Sequence, residues 1–355
     1  MIKDSMNFIK NEQDLWNSKN IADNCNLIYS QKISKKDFET YPESDEIKVL
    51  EETKDKNYET ITYKKINFQL NENDIIFSHA DYVEDLFLHL KNCENLKNLR
   101  LITSQSDRKI NKKLYNLKPD CISKWYGVNV NYKNKNLIPI PLGIADSFST
   151  KNLNTKEIFN YLNLSFNNKQ KIMYLNFRIN TNYFHRNKLY KIFKDKTWVD
   201  IDEPNISKSS YLKKIKQSNF TLCPWGNGVD THRLWEAIYL GSIPITKQHM
   251  IYKKLLSSHI VSVDSYKNIT KQLITDYQFE TSIDKLEYLL SIHSLFDELK
   301  KEKIDSSEKH INFKENDKSL LENITKHEIR KRNERIKKNI LTFMRKVHSS
   351  LFNQN

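Results

Sequence analysis

The sequence predicts an α/β protein built as two domains, each a parallel sheet covered by helices. From residue 73 onward, strand-like and helix-like segments alternate, which is the pattern of a parallel sheet with crossover connections. The run 220–223 (FTLC) is too short and too apolar for an independent helix and reads as a strand buried on both faces. A chain of 355 residues exceeds one ordinary domain and suits two of moderate size.

Taken in order, residues 1–146 form the first domain. A helix is expected over 7–16, strands at 26–30 and 61–70, and a loop over the charged stretch 43–56. Strands at 74–78, 99–103, 120–125 and 137–144 then alternate with helices at 81–90 and 107–115. Pro139, Pro141 and Gly143 stiffen a strand that cannot bond fully within a sheet, and so mark the domain exit. Residues 147–170 read as a linker with a helix at 156–162. The second domain, 171–310, opens with the strand 171–176, a loop 177–185 and a helix from Arg186. Strand 197–200 and helix 207–217 follow. Beyond residue 246 come helices at 249–258, 269–277 and 283–301, with a strand at 259–263. Residues 301–318 are a charged connector, and 320–352 carry apolar residues at helical spacing with basic residues between them.

The chain is organised around residues 219–246, where a strand, a glycine turn, a short helix and a second strand follow without slack. Three of the five glycines fall here: Gly226, Gly228 and Gly241. The helix begins at Asp230 or Thr231 and ends at Gly241. Arg233 and Glu236 are three residues apart and share one helical face. The free N–H groups of such a helix attract an anion, and glycine lets a phosphate approach the backbone. Arg233 adds a planar fork suited to phosphate oxygens, while ionised Glu236 accepts from a diol such as a ribose. The alternative is a surface ion pair beside glycines that only turn the chain. An Asp230 acting as cap would place negative charge beside the phosphate.

The run FTLCPWGNGVDTHRLWEAIYLGSIPI resembles the signature of exostosin-type glycosyltransferases: a strand ending in Pro-x-Gly, an Arg-x-x-Glu-Ala helix and a Gly-x-Ile-Pro-Ile strand. The resemblance implies the GT-B architecture of two facing Rossmann-like domains, with a C-terminal crossover helix over 311–355 that packs back on the first domain. It implies transfer of a sugar from a nucleotide-diphosphate sugar to a glycan or lipid-linked glycan, with inversion. No tightly bound cofactor or metal is implied. By the same resemblance Glu236 takes the donor ribose and Arg233 the diphosphate, with Asn176 and Arg178 adding to the clamp from the first strand of the second domain. Arg186 is a further phosphate candidate, Gly226 and Gly228 allow close approach, and Trp225 borders the base or sugar. The fucosyltransferase Thr-Glu-Lys run is absent, because Thr231, His232 and Arg233 stand there.

Ligands bind outside the carboxyl ends of strands in such sheets. Two polar clusters of the first domain stand at strand ends, 78–82 (SHADY) and 103–107 (TSQSD). An inverting transfer needs a base, and His79 or Asp81 would serve; the competing reading is that Asp81 and Asp107 cap the helices they precede. Asp200 and Asp202 spell the metal-binding Asp-x-Asp of another glycosyltransferase class, but they precede a Glu-Pro-Asn loop and read as a loop.

The net charge of +14 fits nucleic acid, an anionic membrane face or an anionic substrate. No nucleic-acid motif accompanies it, although a basic nucleic-acid-binding α/β protein and an inactive glycan-binding relative remain the alternatives. The basic C-terminal helix also suits peripheral contact with an anionic membrane. The four cysteines show no metal or redox spacing and read as buried thiols. With neither an apolar run of membrane length nor a signal core, the sequence is read as cytoplasmic.

Overall fold

The structure is a computed structural model that describes residues 8–41, 44–55, 58–91, 96–162, 171–255, 259–277, 283–305 and 309–352. Cys93, Asn7 and residues 163–170 of the expected linker lie outside the described residues.

Two main sheets stand apart in the chain. The first contains β1 (Leu27–Ser34), β2 (Ile47–Asp55), β3 (Tyr58–Lys65), β5 (Ile75–His79), β6 (Leu99–Ser104), β7 (Ile122–Gly127) and β8 (Leu137–Pro139), in the order β2-β3-β1-β5-β6-β7-β8. From β1 to β8 the pairing is parallel, and β3 and β2 add antiparallel edge strands. The second contains β9 (Lys171–Leu175), β10 (Val199–Ile201), β11 (Ser218–Leu222), β12 (Ile243–Lys247) and β13 (Val261–Val263), all parallel, in the order β10-β9-β11-β12-β13. Counted along the chain, that is 2-1-3-4-5, a doubly wound order that reverses between β9 and β11. Loops after those two strands therefore diverge to opposite faces and leave a crevice between them. A separate pair joins β4 (Asn67–Asn71) to β14 (His310–Lys314).

Several expectations are corrected. The stretch expected as a loop over 43–56, whose two end residues lie outside the described residues, is mostly strand: β2 pairs with β3 through almost its whole length, packing Ile47 and Val49 around Phe38, Tyr41 and Tyr63 while its charged residues keep the edge soluble. No helix spans 7–16. Asn11 and Asn17 accept the backbone N–H groups of Gln13 and Lys19, each at 2.9 Å, so side-chain caps divide the segment into a 3-10 turn at Glu12–Asp14 and a helix at Ser18–Asp23. Strand 61–70 is two strands, β3 and β4. The helix over 107–115 shrinks to Lys112–Tyr115, capped by Asn111 rather than Asp107. The strand over 137–144 stops at Pro139. Beyond it Gly143 takes φ +71, where an added Cβ would stand 2.1 Å from the Trp16 carbonyl oxygen.

The return to the first domain also comes earlier than expected. The helix over 283–301 breaks at extended Ser291 into Ile283–Leu290 and Ile292–Lys301. The later piece packs Ile292, Leu295, Phe296 and Leu299 onto Trp16, Phe77, Ile102 and Tyr126 of the first domain. Arg100, fully buried in β6, donates to the Leu299 carbonyl at 2.7 Å. The terminal helix Asp317–Phe352 touches the first domain through Arg330, which donates to the Asp81 carbonyl and lies over the Tyr82 ring. From residue 331 to 347 every side chain described is exposed except half-buried Arg345, so this helix does not pack back along its length. Among the described residues no helix is long and apolar enough to cross a membrane.

One buried ion pair fastens the returning segment. Lys64 of β3 meets Glu315, just after β14, at 2.7 Å, with both side chains almost wholly out of water. Such a pair offsets its desolvation cost only while both partners remain. Glu315→Ala is therefore expected to lower unfolding stability in urea by about 3–5 kcal/mol. The double variant Lys64→Met with Glu315→Leu should recover most of that loss.

Candidate functional site

The carboxyl ends of the two sheets face each other across a cleft of about 530 Å³. On the first-domain side it is walled by residues that follow β6 and β8, among them Ser106, Asp107 and Asp146. Opposite stand Asn176 and Arg178 after β9, the Gly226–Asp230 turn after β11, and the N-terminal half of the site helix, His232–Tyr239. This is the crevice between diverging loops, where the strand order reverses.

The site helix presents Arg233 and Glu236 on one face, as their spacing requires, and both line the cleft. Glu236 is buried, and Tyr211 from the preceding helix donates to its Oε2 at 2.7 Å. Among the described residues the other carboxylate oxygen has no hydrogen-bond partner, so one oxygen is fixed and one is available. The Arg233 guanidinium lies over the Tyr211 ring, 5.8 Å from its centroid, and its buried Nε lacks an acceptor. Burial works against the charge on Arg233, but Tyr211 and Glu236 outweigh it and raise its pKa. Arg178 lines the cleft, and no described side chain pairs with it.

Asp230 does not sit as a bare charge beside this group. It is buried, and its oxygens accept from Trp235 Nε1, the Thr231 N–H and, across the domain boundary, the Leu142 N–H at 2.9 Å. Burial pushes its pKa up to about 6, with these donors opposing, so it is ionised at neutral pH. His232 Nδ1 lies 2.8 Å from the Gly143 carbonyl oxygen. A carbonyl only accepts, so Nδ1 carries the proton and Nε2 is left as the acceptor in the neutral ring. Burial raises the pKa values of Asp107, Asp146 and Asp230, and the cationic form of His232 nearby would oppose this.

The structure brings together Asn176, Arg178, Arg186, Gly226, Gly228, Arg233 and Glu236 of the expected site and leaves out Trp225, His79 and Asp81. Trp225 turns away: its ring meets His249 edge-on and lies beneath Lys247. His79 and Asp81 are not in the cleft. His79 is buried, which drives its pKa down to about 4, and its Nδ1 accepts the Asp81 N–H. Asp81 accepts from Ser106 Oγ at 2.7 Å, behind the wall that Ser106 forms. His79 therefore caps a helical turn, and Asp81 ties that turn to Ser106. Arg186 lines the cleft but spends its donors on the carbonyls of Arg178, Pro224 and Trp225, at 2.9–3.0 Å. Asn176 similarly holds the Glu203 carbonyl at 2.9 Å. Asp200 and Asp202 both pair with Lys214, at 2.8 and 3.5 Å.

Sequence reasoning passes over three residues of this site, Asp146, His232 and Tyr211, and leaves Asp107 open between a strand-end ligand contact and a cap. Asp107 stands exposed in the cleft, where the surrounding walls raise its pKa. Asp146 is buried in the same wall, accepting from Ser18 and Gln105. Its position after a strand end is the signal that could have found it. His232 and Tyr211 carry no such signal, since only the packing of two helices places them.

A doubly wound sheet facing a second parallel sheet across a cleft is the GT-B arrangement of glycosyltransferases. Residues 149–316 match the family model of the RXYLT1 C-terminal domain, a glycosyltransferase-like family. That match takes in the second sheet and β14, somewhat under half of the chain. It is to this family, not specifically to exostosins, that the second half is similar. No curated protein matches the chain significantly. Among solved structures, the pneumococcal O-GlcNAc transferase GtfA in complex with UDP and GlcNAc aligns at 11% identity and a TM-score of 0.28, over 65% of this chain and 52% of that one. The chain thus covers about half the length of that transferase, and so loose a superposition carries no weight for the site.

Gly228 tests how tightly the cleft floor is closed. A Cβ there would stand 2.8 Å from Asn129 Oδ1 and 3.1 Å from Asp107 Oδ1. Gly228→Val should cost about 1–3 kcal/mol by overpacking, read as a lower urea midpoint, whereas Gly241→Asn, with nothing within 4 Å and φ +76, should be nearly neutral.

Proposed function

We propose that the protein transfers a sugar from a nucleoside-diphosphate sugar to a hydroxyl group of a glycan acceptor. The observation that carries this reading is the presentation of Arg233 and half-satisfied Glu236 by one helical face at the switch-point crevice, with unpaired Arg178 beside them. Two guanidinium groups suit a diphosphate. The open Glu236 oxygen suits ribose hydroxyls, and the bond from Tyr211 fixes its orientation. With these cations at the diphosphate, leaving-group charge is compensated without a tightly bound metal.

The acceptor lies against the first-domain wall in this reading, and Asp107 is the base. It projects into open cleft from that wall, and its raised pKa makes it a better proton acceptor than an ordinary aspartate. Asp107 takes the acceptor proton as the hydroxyl oxygen bonds to the anomeric carbon, and the nucleoside diphosphate leaves from the opposite side. A single displacement of this kind inverts the anomeric centre, as the exostosin-like run also suggests.

Calorimetric titration with UDP, GDP, CMP and their sugars tests the donor site. One nucleotide should bind the wild type, and Glu236→Ala or Arg233→Ala should weaken it about tenfold or more. Trp225→Leu should leave that affinity unchanged. Asp107→Asn is expected to retain donor affinity while kcat falls about 100-fold or more. Donor binding unaffected by both Arg233 and Glu236 replacements would remove the helix from the site and sink the proposal.

A further inference from the structure

The terminal helix carries an apolar stripe that stands exposed among the described residues. Ile329, Ile336, Ile340, Phe343, Met344 and Val347 are each 39–68% exposed. At helical spacing they fall within a sector of about 100°. Half-buried Leu320, Ile324 and Arg330 lie on other faces, and Arg330 makes the contact with Asp81 and Tyr82. The helix is thus held to the first domain by one side and presents the stripe with another. Over residues 329–347 the sequence places eight basic residues against one acidic residue. Exposed Arg332 and Lys337 flank the stripe on its two sides.

We infer that this helix docks the protein on an anionic lipid bilayer, lying in the plane of the interface with the stripe turned inward. A basic, amphipathic helix of low mean hydropathy binds in this way, gaining from buried apolar area and from attraction to anionic headgroups. The other natural occupant, the same helix of a second copy, fits less well. Pairing along the stripe sets Arg332 and Lys337 at the flanking positions that face each other across a two-stranded coil, where like charges repel. Nucleic acid would take the cations but leave the apolar residues in water. The held end of the helix is close to the cleft: Arg330 bonds to Asp81, whose carboxylate bonds to Ser106 of the cleft wall. Docking therefore sets that wall near the membrane. It is independent of the transferase reading.

Co-sedimentation of the full chain with phosphatidylcholine vesicles, with and without phosphatidylserine, is the test. Binding is expected to the anionic vesicles at low salt and to decline as salt screens the charges. Arg332→Gln with Lys337→Gln should weaken it about 30-fold, at about 1 kcal/mol for each cation near the surface. Ile336→Asp, Ile340→Asp and Phe343→Asp together should abolish it with the melting temperature unchanged, since all three side chains are exposed. Three results would overturn the inference. They are no sedimentation with anionic vesicles, sedimentation that the triple variant keeps, and a concentration-dependent dimer or an RNA complex in place of vesicle binding.

Discussion

The geometry of the cleft depends on a small set of hydrogen bonds at its floor, where the second domain's glycine turn meets the first domain. Asn129, held at φ +55 after β7, accepts the Val229 N–H at 3.1 Å while its own amide group donates to the Ser106 carbonyl. Asp230 returns the connection by accepting the Leu142 N–H. Both residues are buried. Removing one partner would leave donors or acceptors unsatisfied out of water, which costs more than the bond itself contributes. The start of the site helix is thereby fixed against both walls, and Arg233 and Glu236 inherit that placement. The same bonds remove a conflict visible in the sequence, because the charge on Asp230 is committed to four donor contacts behind the turn.

Arg186 has a comparable role on the other side of the turn. Surrounded by carbonyl oxygens, it is shifted by burial and by nearby Arg233 to a pKa of about 9, still cationic at neutral pH. Pulling the carbonyls of Pro224 and Trp225 toward itself sets the direction of the chain into Gly226. A Cβ on Gly226 would stand 3.1 Å from its guanidinium. The two glycines thus serve packing against Arg186 and Asn129, whatever ligand they also face.

What is legible in the sequence follows the strength of local signals. The second sheet is nearly all legible, because FTLC, IPIT and KIMYL are short apolar runs bounded by proline, glycine or asparagine. Arg233 and Glu236 are legible because a helix places residues three apart together whatever surrounds it. The edge strand β2 is hidden by its charges, which come from its exposure rather than from any loop. His79 and Asp81 mislead for a related reason: polar residues at a strand end suit a cap and an active site equally, and only the position of Ser106 in front of them decides. Asn129 and Tyr211 have no local signal, since their roles are made by residues 100 and 25 positions away, respectively.

The long reach of these contacts bears on the order in which the molecule is assembled. Trp16, near the start, has its backbone N–H bonded to the Tyr239 hydroxyl, and Lys64 finds Glu315 across 251 positions. The face of the first sheet that carries Phe77 and Tyr126 is completed by the helix Ile292–Lys301. During synthesis, the first domain to leave the ribosome is therefore the last to be finished. Until residue 315 has emerged it holds an uncovered apolar face and an unpaired buried lysine, a state open to aggregation and to chaperone capture.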